Sequence, residues 1–141
     1  MHSEEEVIAD LRGAICRAVD AGFVTFISGM SRGVDIWAAE LVLEYRCRNP
    51  ELHLICACPF PGFERSWSTV WQQRCGDILC RADLKRFISP EYDTLCFQRR
   101  NQWMVDHSSL IIAVWNGLPS GTRNTIVYAE RKGIPCEFLP G

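Results

Sequence analysis

The sequence is short of several features that would mark particular classes of protein. With 15 lysines and arginines against 17 aspartates and glutamates, it lacks the basic surplus that non-specific nucleic-acid binding needs. Its acidic start, MHSEEEVIAD, lacks the basic and apolar regions of a secretory signal peptide. No apolar run approaches the roughly 20 residues that span a bilayer. We therefore expect a cytoplasmic protein with no membrane partner, and we do not expect it to bind nucleic acid.

Metal-binding patterns are also missing. The three histidines are isolated, and the closest approach to a zinc motif is Cys56-Ala57-Cys58, which supplies no second pair of ligands. Most of the eight cysteines lie inside apolar runs, which favours reduced, buried thiols over disulfide bonds in a cytoplasmic protein. We expect no metal site and assign no certain cofactor.

What the sequence does contain is an alternation of helical and strand-like patterns over 141 residues, without a linker or an internal repeat. The predicted helices cover about 4–21, 34–48, 64–80, 97–106 and 122–132. The predicted strands cover about 23–28, 52–58, 84–89, 109–115 and 136–139. This alternation predicts one α/β domain over residues 1–141, with a mainly parallel sheet and helices on both faces.

A glycine loop follows the first predicted strand and precedes a helix. Helix N-termini present unpaired N–H groups and a partial positive charge, which suit an anion. Gly29 and Gly33 would let the backbone approach a ligand closely, Ser31 offers a hydroxyl, and Arg32 offers a bidentate contact to a phosphate. Asp35, in the first helical turn, either caps the helix or accepts a hydrogen bond from a ribose or base.

A second loop, from Asn116 to Thr122, follows the most hydrophobic predicted strand. Its small and hydroxyl-bearing residues suit a phosphate or ribose, and they are Asn116, Gly117, Ser120, Gly121 and Thr122. Neither loop has the Walker or the G-x-G-x-x-G pattern. Because the loops after parallel strands gather at one sheet edge, the two loops together predict a site for a phosphate-bearing, nucleotide-like ligand. Trp37 and Trp67 either flank the base there or pack against the sheet.

Several segments carry a resemblance to a known family. They are Phe23 to Glu40, which contains GMSRGVDIWAAE, the strand that ends in Pro59, RRNQWMVDHSSLIIAVWNG at 99–117, and SGT at 120–122. In this order they resemble the SLOG superfamily, most closely its YpsA-like branch, which is related to the DprA and Lonely Guy type proteins. The resemblance covers nearly the whole chain. It implies a Rossmann-like three-layer α/β/α fold that binds a nucleotide or an ADP-ribose-like ligand.

By position, the resemblance implies ligand contacts in each glycine-containing segment. They are Gly29, Ser31, Arg32, Gly33 and Asp35, then Arg100 and Asn101, then Gly117, Gly121 and Thr122.

The chain departs from the family pattern at two places. Lonely Guy type hydrolases resemble PGGxGTxxE, whereas here Gly121-Thr122 is followed by Arg-Asn-Thr, so the glutamate that would assist cleavage is absent. Glu40 is the one acidic residue of the first motif that could replace it, and we expect it to pack or pair on its helix. Relatives also begin with a strand and a TGHRP-like loop, whereas this chain starts at the first helix. The resemblance therefore implies a sheet without its first central strand, through truncation or an upstream start, with an exposed edge that a partner chain could cover by homo-oligomerisation.

Three functions follow from these patterns. The first is a binding or sensor module for a nucleotide derivative, which passes a signal to an unidentified protein partner and has no chemistry of its own. The second is hydrolysis of a nucleotide N-glycosidic bond, for which no catalytic residue is assigned. The third is a DprA-like role in DNA association or assembly, although no run interleaves aromatic residues with lysines as a stacking groove would.

Overall fold

Helices and strands alternate along the chain, as the sequence predicts. The computed structural model describes residues 2–141. Its helices are α1 (Glu4–Asp20), α2 (Val34–Arg46), α3 (Thr69–Arg81), α4 (Cys96–Asp106) and α5 (Gly121–Arg131). Its strands are β1 (Thr25–Ser28), β2 (His53–Cys58), β3 (Leu84–Phe87), β4 (Ile111–Trp115) and β5 (Cys136–Pro140). Each predicted element is present, and the Rossmann-like α/β class is confirmed.

Helix α3 starts at Thr69 rather than near residue 64, where the apolar pattern begins. The preceding segment turns instead, with Gly62 at φ +82° and Phe63 buried. The side chain of Gln72 donates to the carbonyls of Arg65 and Trp67 at 3.0 and 2.9 Å and holds the turn in place. The predicted start was wrong because an apolar residue that anchors a turn has the same sequence signature as one on a helix face.

The five strands form two sheets, and every strand pair is parallel. One sheet has the order β1-β2-β3, with Ile27 opposite Ile55, and the other pairs β4 with β5, with Ala113 opposite Phe138. In the described residues, β1 and β4 each pair on one side only. A mainly apolar cleft of about 740 Å³ separates these two free edges. The split matches the expectation of a parallel sheet that lacks one central strand.

Helix α1 connects the two sheets. Its predicted capping box is confirmed, because Glu6 N–H donates to Ser3 Oγ at 3.1 Å and Ser3 N–H donates to the Glu6 carboxylate at 3.4 Å. Its buried face packs on α2, and its opposite end reaches β5, where Arg17 Nε donates to Glu137 Oε1 at 2.9 Å. The helix therefore holds β5 beside the three-stranded sheet although no strand joins the two.

All eight cysteines are unpaired thiols, and four of them are buried: Cys56, Cys58, Cys75 and Cys96. The prediction of burial is wrong for Cys16, Cys47 and Cys80, which lie exposed on helices or at a helix end. Burial raises the pKa of the Cys56 and Cys58 thiols to about 12, so they stay protonated at neutral pH. No cluster of three metal-ligating side chains occurs within residues 2–141. No helix in that range is both long and apolar enough to cross a membrane.

Candidate functional site

The loop between β1 and α2 has an unusual backbone. Met30 has φ +62° and is the one non-glycine residue with positive φ among residues 2–141, and Gly33 has φ +92°. Met30 is fully buried, and its N–H donates to Ser28 Oγ at 3.2 Å. Positive φ in a bulky residue costs free energy and persists where the surroundings fix it, which is typical of ligand loops.

Asp35 holds this loop against the start of α2. Its Oδ2 accepts a hydrogen bond from Ser31 N–H at 3.1 Å, and its backbone carbonyl accepts one from Ser28 Oγ at 2.9 Å. A Cβ built on Gly29 would lie 3.0 Å from both Asp35 Oδ2 and the sulfur of Met104, so the close packing here requires glycine. The sequence proposed Asp35 as a helix cap or a ribose acceptor, and in the structure its carboxylate shapes the loop.

Arg100, on α4, crosses under the same loop. It is buried at 5% exposure, and its guanidinium donates to the Gly29 carbonyl, to Ser31 Oγ at 3.4 Å and to Asn101 Oδ1 at 2.7 Å. No described carboxylate lies within ion-pair distance of it. Burial lowers the pKa of Arg100 below its ordinary value, and the nearby charge of Asp35 offsets part of that effect. The loop thus has a buried cation whose neighbours are neutral acceptors.

A cavity of about 550 Å³ opens beside Arg100, and we call it the ligand cavity. It lies at the carboxyl ends of β1 and β2, the edge where parallel α/β sheets bind ligands. Its polar wall comes from the first loop and α4, and its apolar wall from the segments after β2 and β3. The lining residues are Met30, Ser31, Arg32, Pro59, Phe60, Phe63, Ser66, Trp67, Tyr92, Phe97 and Arg100.

The apolar wall is a cluster of aromatic rings. Phe60 meets Tyr92 and Phe97 edge to face, at centroid distances of 5.7 and 6.2 Å. Tyr92 is 62% exposed and Phe97 46% exposed, so both rings have free surface. The Arg32 guanidinium lies 5.7 Å from the centroid of a Trp67 ring. Exposed aromatic edges beside two arginines can bind a planar group that carries negative charge.

Sequence reasoning missed most of this wall. Phe60, Phe63, Tyr92 and Phe97 were not predicted, although the position of Phe60 directly after β2 placed it at the right edge. Trp67, proposed to flank a base, lines the cavity, whereas Trp37 does not, and its indole N–H is buried without a partner in the described residues.

The second predicted loop is placed elsewhere. None of Asn116, Gly117, Ser120, Gly121 or Thr122 lines the ligand cavity, because the loop follows β4, which belongs to the other sheet. Asn116 Oδ1 accepts from Leu118 N–H at 3.0 Å, and Ser120 Oγ caps α5 by accepting from Arg123 N–H at 3.2 Å. Ligand binding by this loop stays a prediction.

Two other acidic or basic candidates are paired. Glu40, considered as a substitute for the absent glutamate, forms a two-point ion pair with Arg74 of α3, with Nε to Oε2 at 3.0 Å. Arg99 pairs with Asp93 at 3.0 Å and points away from the cavity lining. Both therefore have structural roles.

Comparison with known proteins gives a consistent result. A model of the family described as the YspA SLOG family matches residues 3–133. The chain is 32% identical over 118 residues to an uncharacterized SPbeta prophage-derived protein, YoqJ, of Bacillus subtilis (strain 168), covering 75% of this chain and 69% of that protein. It is 30% identical over 128 residues to UPF0398 proteins of Bacillus thuringiensis (strain Al Hakam) and Bacillus cereus (strain AH187), covering 86% of this chain and 67% of each.

Proposed function

The chain belongs to the YspA SLOG family, and from that premise we propose that it binds a phosphate-bearing nucleotide derivative in the ligand cavity, as a binding or sensor module. Membership of the family makes the chain a nucleotide-related, Rossmann-like α/β module. The choice of ligand class and of site is our proposal. It rests on the geometry of the loop after β1.

The observation that carries the proposal is the buried guanidinium of Arg100. A buried charge is costly unless it is paired, and Arg100 has only neutral acceptors among the described residues. An anion in the cavity would supply the missing counter-charge, and a phosphate matches the fork of a guanidinium. Arg32 and Ser31 line the same wall and would add contacts to that phosphate.

The aromatic wall supports a nucleotide rather than a free phosphate. A base has a flat face that stacks on aromatic rings, and Tyr92 and Phe97 offer exposed ring surface across the cavity from Arg32. The cavity volume of about 550 Å³ falls in the range of small-molecule sites.

Binding without cleavage is the function that the cavity supports better. Cleavage of an N-glycosidic bond needs a carboxylate at the reacting centre. The described residues that line the cavity provide none, and Glu40 is engaged by Arg74.

The test is calorimetric titration of the purified chain with ADP-ribose, AMP and ADP, with the variant Arg32→Ala. The Arg32 side chain is exposed and makes no backbone hydrogen bond, so its loss should leave the fold intact. Because a hydrogen bond to a charged group contributes about 1.5–3 kcal/mol, we expect affinity for the bound nucleotide to fall roughly 10- to 100-fold. A thermal-shift assay gives a second readout, since a ligand at 100 times its Kd adds about 2.7 kcal/mol.

The matched control is Arg131→Ala, which removes the same charge from the exposed end of α5, outside the cavity lining. It should leave the affinity unchanged. Equal loss in both variants would indicate a general charge effect, and absence of saturable binding by a chain that melts cooperatively would refute the proposal. Release of ribose 5-phosphate from AMP would favour the hydrolase instead.

A further inference from the structure

The cleft between the two sheets, which we call the strand slot, is the larger cavity of the molecule at about 740 Å³. Its walls are the free edges of β1 and β4, together with side chains from helices α1, α2 and α4. Leu11 and Ile15 of α1 line it, as do Trp103 and Met104 of α4. Its side chains are mainly apolar, which makes it different in kind from the ligand cavity.

The backbone of β1 offers unused hydrogen-bonding groups to the slot. The carbonyl of Val24 accepts from His53 N–H at 2.8 Å, so Val24 and the residues two and four positions on direct their backbone groups toward β2. Thr25 and Ile27 therefore direct their N–H and C=O groups the other way, toward the slot. These groups have no hydrogen-bond partner in the described residues.

The same reasoning applies to β4. Ile111 N–H donates to the Pro135 carbonyl at 2.9 Å, and the Trp115 carbonyl accepts from Gly141 N–H at 3.2 Å, so the odd-numbered residues of β4 pair with β5. Ile112 and Val114 direct their backbone groups toward the slot, again without partners in the described residues. Two unpaired edges that border one cleft are complementary to a single strand with a neighbour on each side.

The chemistry of the slot limits what can fill it. Among its described lining residues, Asp35 and Arg86 have charges of opposite sign, so the slot has no surplus that would select a charged peptide. The free edges are four and five residues long, which sets the length of the strand. A folded second copy does not fit this description, because its strands have helices packed on them and cannot enter as a bare strand.

We propose that the strand slot is a docking site for an extended, uncharged segment of a partner protein, four to five residues long and rich in β-branched residues. The segment enters as one β-strand and completes the sheet between β1 and β4. Its main-chain groups pair with those of Thr25 and Ile27 on one side and of Ile112 and Val114 on the other. Apolar side chains on both of its faces pack against the helices that line the slot.

The probe is the acetylated and amidated peptide Thr-Val-Ile-Val-Ala-Thr, added to the full chain and followed by hydrogen exchange. We expect saturable binding that slows exchange of the slot-facing amides on β1 and β4 together, by at least about tenfold at saturation. A peptide of the same length with prolines at its third and fifth positions cannot form the ladder and should give no protection.

The protein variant is Thr25→Pro. The N–H of Thr25 faces the slot and Thr25 begins β1, so a proline there spares the β1-β2 ladder and blocks only the slot side. Cys136→Pro is the matched control, because Cys136 begins β5 and its N–H faces away from β4. Thr25→Pro should abolish peptide binding, and Cys136→Pro should preserve it.

Several outcomes would overturn the proposal. They are equal protection by the proline peptide, protection of one edge without the other, and binding that survives Thr25→Pro. Dimerisation of the chain with loss of the free peptide's effect would assign the slot to a second copy. If the peptide protects the slot only when fused ahead of residue 2, the occupant is a covalently joined strand and not a partner. Should Thr25→Pro fail to fold, the proline peptide decides with the unmodified chain.

Discussion

At the scale of single residues, the candidate site depends on backbone that is held in uncommon conformations. Met30 and Gly33 both have positive φ within four residues of each other, between β1 and α2. The hydrogen bonds from Ser31 to Asp35 and from Arg100 to Gly29 fix this loop from two sides. The loop is therefore formed before a ligand arrives, which reduces the ordering cost of binding.

Gly33→Ala and Gly121→Ala separate a glycine that the backbone requires from one that it does not. Gly33 has φ +92°, so a side chain there is strained even though no atom lies within 4 Å of its Cβ position. We expect Gly33→Ala to lower the free energy of unfolding by about 1–3 kcal/mol. Gly121 begins α5 with ordinary φ and open space, so Gly121→Ala should raise it by about 0.4–1 kcal/mol. Urea denaturation measures both, and equal effects would contradict the role given to the loop geometry.

At the scale of secondary-structure elements, the junction of α2, β2 and β3 is held by one carboxylate. Asp83 Oδ2 accepts from Leu54 N–H at 2.7 Å and from Arg46 Nη1 at 2.9 Å, and its Oδ1 lies 3.5 Å from His53 Nδ1. The hydrogen bond from Leu54 is the largest cause that lowers the pKa of Asp83, and Arg46 and His53 lower it further. The charged form of Asp83 therefore stabilises the fold.

Asp83→Asn should make the stability of the chain less dependent on acid pH. Because the pKa of Asp83 is lower in the folded state, its contribution is complete above the unfolded value of about 3.9 and is lost as pH falls through the folded value. At pH 7 we expect the variant to lose about 1 kcal/mol, the typical contribution of a hydrogen bond. Thermal melts between pH 7 and pH 2 should show the two proteins converging at the acid end. A difference that stays constant over that range would contradict the assignment.

At the scale of the whole molecule, the two sheets should differ in local stability. β2 is paired on both edges and most of its residues are buried, whereas β4 has one free edge and is only partly buried. The sheets are joined through α1, by its packing on β5 and the ion pair of Arg17 with Glu137. The β4-β5 unit therefore has fewer hydrogen bonds to lose on opening.

Native-state hydrogen exchange in low urea measures this difference. The amides of β4 that pair with β5 should open with a lower free energy than those of β2, by roughly 1–3 kcal/mol, because a strand with one free edge opens without breaking a second ladder. Exchange of both strands only through global unfolding, at one common free energy, would show that α1 couples the sheets completely.

The sequence by itself determined the α/β class, the five helices and five strands, and the importance of the segment from Gly29 to Asp35. These features depend on local causes, namely hydrophobic periodicity, a capping box at Ser3 and glycines between strands and helices. Helix α3 was predicted too long because its first apolar residues anchor a turn, and only their burial shows this.

Tertiary structure alone decided which predicted residues meet. Arg100 lies about 70 positions from the first loop along the chain and yet bonds to Gly29 and Ser31. The residues from Asn116 to Thr122 carry similar chemistry but lie outside the ligand cavity, because β4 belongs to the second sheet. Spacing along a chain predicts which residues share an element. Which edges pair, and which are left facing an open slot, depends on contacts between distant segments that no local pattern encodes.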